Sequence, residues 1–328
     1  LDERYIKAVK YSTKSSSAEH AGMLPKMVLL ADIVSDDEKR LDEVTGNVLE
    51  LAKQRNAEGF IAASPEARHR FWLDRSRTAA ISAHTNAFKI NEDVVIPLDR
   101  LNEYNRGIEH LNIEQSIRNK LVIKQDVLDF LKTDLNELCQ CEDDSEENQV
   151  ILQDKQTAAQ NLVHASIEKW QSLLEQLNTP ASSAKDRLAE QEYQSIQPGD
   201  LVLDLMLRRD LRHSYRREIA TPLNDIFSGQ ELAPIRKKLE QLHKDRRTSR
   251  LFIALHMHAG DGNVHTNIPV HSHDYAMLTQ ADQLVDRIMQ LAISLGGSIS
   301  GEHGIGLTKF QYLDKDKISD FVNYKNKV

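Results

Sequence analysis

Two cysteines in 328 residues, Cys139 and Cys141, are too few for a disulfide framework or for an iron–sulfur cluster held by this chain alone. In a reducing cytoplasm they read as free thiols. No apolar run approaches the ~20 residues that a bilayer-spanning helix needs, and no secretory signal opens the chain. Positive charge is short as well. Lys plus Arg number 42 against 50 Asp plus Glu, a formal net charge of −8, which is the wrong sign for a general nucleic-acid binder. The first residue is Leu1 rather than Met, which reads as an internal start within a longer protein. Neither an internal repeat nor a low-complexity tract is visible. The length suits one large domain or two.

Against these absences stands one dense stretch, LFIALHMHAGDGNVHTNIPV, from Leu251 to Val270. A β-prone apolar run feeds His256, Met257 and His258, and an Asp261-Gly262 pair then precedes Asn263, Val264 and His265. Asp-Gly between two such runs signals a hairpin. With Asp261 and Gly262 as the loop, His258 faces His265, and directly opposed residues share one face. Period-two alternation puts His256 and Asn267 on that face too. Two converging imidazoles suit a metal, although a His pair in a hairpin is also a common surface feature. Downstream, GGSISGEHGIG (296–306) offers Glu302 and His303 among glycines that permit close backbone approach. Two His and one Glu with open positions form a recurrent catalytic zinc set.

The rest of the chain organises around these motifs. Leu1 to His20 is polar and Ser-rich at Ser15–Ser17. MVLLADIV (27–34) reads as a buried strand. A helix capped by Ser35 or Asp36 follows, with Leu41, Val44, Val48 and Leu51 on one face. Glu58 to Ala63 returns as a strand, completing a β-α-β unit. Pro65 opens the next helix, and Val94 to Leu98 is a short strand. Residues 102–178 carry two amphipathic stripes broken by an acidic turn, Glu142 to Glu147, and predict an antiparallel helical hairpin. Residues 180–198 read as irregular. Helices follow over 200–217, with an Arg cluster that binds an anion or acidic neighbours, over 232–243, and over 273–295, the last ended by Gly296-Gly297. A short polar helix from Asp314 closes the chain. The pattern is α+β: an antiparallel sheet covered by helices and split by a long helical insertion.

HAGDGNVH followed by GEHGIG resembles the C-terminal half of FAD-linked oxidoreductases of the D-lactate dehydrogenase, glycolate oxidase and D-2-hydroxyglutarate dehydrogenase family. The resemblance is greatest to large bacterial members that fuse flavin and iron–sulfur modules. It implies a ferredoxin-like cap domain. Residues 1–26 would connect to a separate FAD-binding domain, 27–101 and 200–328 would be the two halves of the cap, and 102–199 the insertion. It implies His258, His265 and Glu302 as ligands of a divalent metal, zinc being the expected one, with His303 as the general base. Arg75 matches the family's substrate arginine on a Trp-x-x-Arg helix, where composition alone would allow a surface salt bridge. Lys89 matches its lysine, though at a longer spacing to Pro97, and Ala79 replaces the polar residue one turn after the arginine. Asn263 is expected to touch or orient the substrate, and Gly301 and Gly304 the cofactor.

The implied reaction is oxidation of a D-2-hydroxy acid, 2-hydroxyglutarate or lactate, to the 2-oxo acid, with FAD supplied by a further module and any 4Fe-4S cluster by another. The electron acceptor stays open, as does a homo-oligomer. The expected location is the cytoplasm or the periphery of the inner membrane. Two alternatives stand beside this: a metal-dependent hydrolase, and a non-catalytic scaffold built on the helical hairpin.

Overall fold

The computed structural model describes residues 1–8, 26–62, 64–76, 88–139, 146–314 and 318–327. In chain order the regular elements are α1 (Glu3–Ala8), α2 (Glu38–Gln54), α3 (Pro65–Ser76), β1 (Phe88–Val95), α4 (Leu101–Leu131) and α5 (Glu146–Glu175). Then come α6 (Glu190–Gln194), α7 (Val202–Arg208), α8 (Thr221–Ile226), α9 (Ala233–Thr248), β2 (Ala254–His258), β3 (Asn263–Val270), α10 (Tyr275–Ser294) and α11 (Ser319–Lys325). The expected α+β class holds: the strands form one antiparallel sheet in the order β1-β3-β2 beside a majority of helix.

The chain divides into two compact units. The first takes Leu1–Leu101, Ile253–Leu278 and Val285–Val328, and contains the whole sheet. The second takes Asn102–Phe252 and Thr279–Leu284, so the helical unit continues past residue 199.

In the first unit, residue parity sorts the sheet into two faces. Val94, Val264, Ile268 and Leu255 occupy one face and are buried. The other face is polar and carries the histidines. Helix α1 lies along β2, with Tyr5 and Ile6 each 1% exposed and the Asp2 amide donating to the Leu255 carbonyl at 3.0 Å. Helix α10 starts at Asp274, whose carboxylate accepts the Met277 amide at 2.9 Å, and ends at Gly296-Gly297, whose amides bond back to Ile293 and Ala292.

The expected β-α-β unit at 27–63 is not formed. Between 27 and 34 there is one isolated bridge, Asp2↔Met27, and Leu29 and Val34 lie exposed. Residues 58–62 are likewise outside any strand. A short apolar run cannot be told from a strand by composition; it needs a ladder partner. Helix α2 does form, capped by Asp37 rather than Ser35 or Asp36, with the Lys39 amide 3.0 Å from the Asp37 carboxylate. Its apolar stripe is present, but none of its residues is buried.

In the second unit the long hairpin is as expected. The side-chain Nε2 groups of Gln156 and Gln160, early in α5, donate to the Leu131 carbonyl at the end of α4, at 2.7 and 2.6 Å. Lys124 reaches Ser166 at 2.6 Å, and Ile117 shares a core with Trp170. Contacts thus run backwards along α5, as an antiparallel pair requires. Of the acidic turn expected at Glu142 to Glu147, residues 142–145 lie outside the described residues, and Glu146 and Glu147 form the first turn of α5 rather than a loop. One core joins Val127, Leu131 and Val163 to Ile219, Phe227 and Ile235; the other joins Trp170, Leu173 and Leu177 to Val202 and Leu205. Glu218, in a π-helical turn at Arg216–Ala220, accepts the Trp170 indole N–H at 2.6 Å and the Ser166 hydroxyl at 3.1 Å. Residues 180–198 are not wholly irregular: a 3-10 segment, Ala181–Arg187, precedes α6. Helix over 200–217 shortens to α7, where Arg209 turns left-handed at φ 70°, and Arg208 pairs with its acidic neighbours Asp200 and Asp210.

Cys139 is disulfide-bonded, not the free thiol expected; Cys141, the chain's other cysteine, is outside the described residues. No helix among the described residues is long and apolar enough to cross a membrane.

Candidate metal centre

The polar face of the sheet is built in rows across β1, β3 and β2. Asp93 stands opposite His265, which stands opposite His256. One row further on, Val95 faces Asn263 and Asn263 faces His258. One row back, Asn91 faces Asn267. Side chains from all three strands therefore share one surface.

The hairpin register differs from expectation. His265 pairs with His256, and His258 pairs with Asn263. The loop holds four residues, Ala259 to Gly262, and the Asp261 amide donates to the His258 carbonyl at 3.1 Å. Gly262 is responsible for much of this. Its φ is +67° and an added Cβ would lie 2.1 Å from the Ile96 carbonyl oxygen, while its own carbonyl accepts the Ile96 amide at 2.9 Å. The loop is drawn towards the end of β1. The slip is two residues, so every side chain keeps its face, and His258 and His265 still converge as diagonal neighbours.

Glu302 completes the set. One carboxylate oxygen is 3.4 Å from His258 Nε2 and the other 3.7 Å from His265 Nε2. One ligand atom from each of the three residues lies within 4.8 Å of the others. Two donors each ~2.0–2.2 Å from a tetrahedral metal stand roughly 3.3–3.6 Å apart; the 3.4 Å spacing fits a shared metal, and the 3.7 Å spacing lies just outside that range. His265 is 3% exposed, and neither of its ring nitrogens has a hydrogen-bond partner. Buried polar atoms are rarely left so, and a metal ligand is one resolution. Burial pushes the His265 pKa down, as do His303 and His258, while Glu302 and Asp93 oppose; the net result favours the neutral imidazole that a metal binds. His256 stacks on His265 at 4.4 Å and meets the Asn267 amide at 3.0 Å, which limits ring rotation. His258 and Glu302 side chains are 44% and 54% exposed, leaving one side of the cluster open to substrate.

His303 joins the cluster, its ring 5.2 Å from that of His265. Its Nδ1 faces the Asp93 carboxylate at 3.6 Å, which leaves Nε2 as the nitrogen available for proton transfer. Asp93 and Lys309 escaped the sequence reading. Asp93 is fully buried and accepts the backbone N–H groups of Gly301, Glu302 and His303. Lys309 Nζ lies 2.6 Å from the Asp93 carboxylate, 2.8 Å from its carbonyl and 3.3 Å from Glu92. Burial would raise the Asp93 pKa; the hydrogen bonds from Lys309, Glu302, Gly301 and His303 outweigh it and hold the carboxyl well below the usual range. The available signal was the Glu92-Asp93 pair inside a β-prone run, an acidic pair that a strand with a buried face has reason to exclude.

The remaining expected residues divide. Asn263 is buried with its side-chain oxygen lacking a partner. It packs against Gly301, where an added Cβ would lie 2.7 Å from that oxygen. Gly304, at φ +75°, lies in the exposed loop beside His303. Lys89 shares the polar face but is four residues from Asp93 along β1, ~13 Å at 3.2–3.4 Å per residue. Asn91, whose buried oxygen also lacks a partner, lies between them. Arg75 lies in α3; its side chain, and residues 77–79 one turn on, are outside the described set.

A family model described as "FAD linked oxidases, C-terminal domain" matches residues 1–122 and 217–327, more than half of the chain. Glycolate oxidase subunit GlcD of Escherichia coli K12 is 39% identical over 75 residues, 22% of this chain and 15% of that protein. D-lactate dehydrogenase [cytochrome] 1 of Saccharomyces cerevisiae mitochondria is 38% identical over 77 residues, 24% and 13% of the two chains. Mitochondrial D-2-hydroxyglutarate dehydrogenase of Danio rerio is 30% identical over 110 residues, 34% and 18%. The matched stretches thus span less than a fifth of these relatives. No solved structure matches.

Proposed function

The chain belongs to the family of FAD-linked oxidase C-terminal domains, and from that premise we propose that it is the substrate-binding and catalytic cap of a flavin-dependent dehydrogenase acting on a D-2-hydroxy acid. The observation that carries this is the convergence of His258 and His265 on the two oxygens of Glu302. The names of the relatives favour 2-hydroxyglutarate, lactate or glycolate as the class.

His258, His265 and Glu302 would hold a divalent metal, for which zinc suits two imidazoles and a carboxylate. When bound, such an ion polarises the substrate's oxygens and lowers the pKa of its hydroxyl. His303 removes the hydroxyl proton at Nε2 while Asp93 faces Nδ1. A flavin bound by a further module would supply the hydride acceptor, and loss of the hydroxyl proton together with the Cα hydride would give the 2-oxo acid. Arg75 is assigned the substrate carboxylate. Lys89, whose pKa burial lowers, is assigned the distal carboxylate of a longer diacid. Asn263 fixes Gly301 and through it the approach of Glu302. Gly301 and Gly304 are assigned the edge nearest the cofactor. Helices α4 and α5 form a surface suited to self-association or to docking a further module. An iron–sulfur cluster, where one takes part, would need ligands beyond the two cysteines of this chain.

Zinc titration of the full chain tests the reading. Wild type is expected to take one ion, and His258→Ala none. In the holoenzyme with its flavin, His303→Ala should keep the metal and lose roughly 10²–10⁴-fold in turnover of D-2-hydroxyglutarate or D-lactate, the usual share of a positioned acid–base group. Zinc uptake unaffected by His258→Ala would refute the assignment.

A further inference from the structure

The loop that carries Glu302 and His303 is exposed from residue 301 to 304, yet it holds two groups that must be placed to within about 0.5 Å to act together. Glycines on both sides leave that stretch little intrinsic stiffness. Something outside the loop has to hold it. Two contacts fix its start: Ser298 bridges Val95, each amide donating to the other's carbonyl at 2.9 and 2.8 Å. Beyond Ser298, the Ser298 hydroxyl donates to the Ser300 carbonyl at 3.0 Å and accepts the Ser300 amide at 3.5 Å, and the next three amides all turn to one side chain on β1. The Asp93 carboxylate takes the amides of Gly301 at 2.6 Å and His303 at 3.2 Å, and that of Glu302 between them. Three successive N–H groups around one carboxylate oxygen form an anion nest, here filled from within the protein.

We propose that Asp93, clamped by Lys309, is the positioning residue that holds Glu302 and His303 against His258 and His265. It rests on the metal reading above and deepens it. The second carboxylate oxygen carries the other half of the device: Lys309 at 2.6 Å, the Ser300 hydroxyl at 3.4 Å and His303 Nδ1 at 3.6 Å. Asp93 and Lys309 are 0% and 2% exposed. A buried charge of either sign alone would be costly, and the pair is retained only because each satisfies the other. Lys309 also grips the carbonyl of Asp93 itself, so the clamp holds backbone as well as side chain. Asp93 faces His265 across the ladder, so the same residue that anchors the loop is registered to a ligand of the cluster. Glu302 therefore reaches the histidines through β1, by bonds between residues 208 to 210 positions apart, and not through its neighbours in sequence.

The experiment uses the full chain and the double variant Asp93→Asn/Lys309→Met. This removes both buried charges together, so that neither is left unpaired. Two readouts are taken: residue-resolved amide exchange at 301–303, and zinc affinity. In wild type the three amides should exchange slowly although their loop is exposed; fast exchange would overturn the proposal without need of any variant. In the double variant the three amides should lose protection while helices α4 and α5 keep theirs. Zinc affinity should fall about 10- to 100-fold, the usual loss when support behind a metal ligand is removed. A folded double variant with wild-type exchange at 301–303, or with wild-type zinc affinity, would overturn it. If wild type takes up no zinc but the exchange results come out as stated, the metal reading falls and the anchor stands.

Discussion

Gly301 shows how little room a single residue has here. An added Cβ would sit 2.7 Å from the Asn263 oxygen and 2.9 Å from Val95, closer than such atoms approach. Gly301→Ala is therefore expected to move the loop and weaken zinc binding, while Gly260→Ala, with nothing within 4 Å of its new methyl, should leave binding unchanged. Zinc titration of the two variants side by side checks this, and equal affinities would refute it. The same crowding explains Asn263. It is a buried wall against which the loop is set.

Elements carry a different lesson. The hairpin slipped by two residues from the expected register, and the site survived because two is the period of a strand. A slip of one would have turned His265 and Asn263 to the apolar face. In the helical unit, His213 is stacked on Trp170 at 3.9 Å and both of its ring nitrogens are buried without partners. Burial, with Lys124, Lys120 and Lys169 adding to it, lowers its pKa below the ordinary 6.5. The unfolded chain then binds a proton that the folded chain refuses as pH falls through 6.5. The stability this residue permits is present above that pH and is lost below it. His213→Phe keeps the stacking and removes the orphan nitrogens. Its urea midpoint should fall less than that of wild type between pH 7 and pH 5; parallel curves would show that His213 plays no part in the acid sensitivity.

At the scale of the whole molecule, residues 102–252 form nearly all of one compact unit, with cores of their own built around Val163 and Trp170. Expressed alone, this segment is expected to be helical by circular dichroism and to unfold cooperatively; a coil spectrum would contradict it. The family match ends at residue 122 and resumes at 217, so the first two-thirds of α4 and all of α8 belong to the common domain while all of α5 lies outside it. The first unit holds every residue of the candidate metal site, the proposed anchor and the sheet, which is why zinc binding and helical stability are proposed as separable properties.

Local chemistry and periodicity were legible in the residues themselves. The paired motifs around His258, His265, Glu302 and His303 named their family, and period-two alternation placed His256, His265 and Asn267 on one face whatever the register. The long helices announced themselves through Leu111, Leu128, Val163 and Trp170 at helical spacing. Tertiary structure decided what depends on distant partners. Met27 to Val34 looks like a strand, but no ladder partner among the described residues takes it up. Asp93 and Lys309 look like ordinary surface charges, and only folding, by closing a gap of 216 residues, buries them as a pair. Side-chain parity repeats every two residues and can be read locally, whereas burial and ion pairing belong to whichever segments the fold brings together.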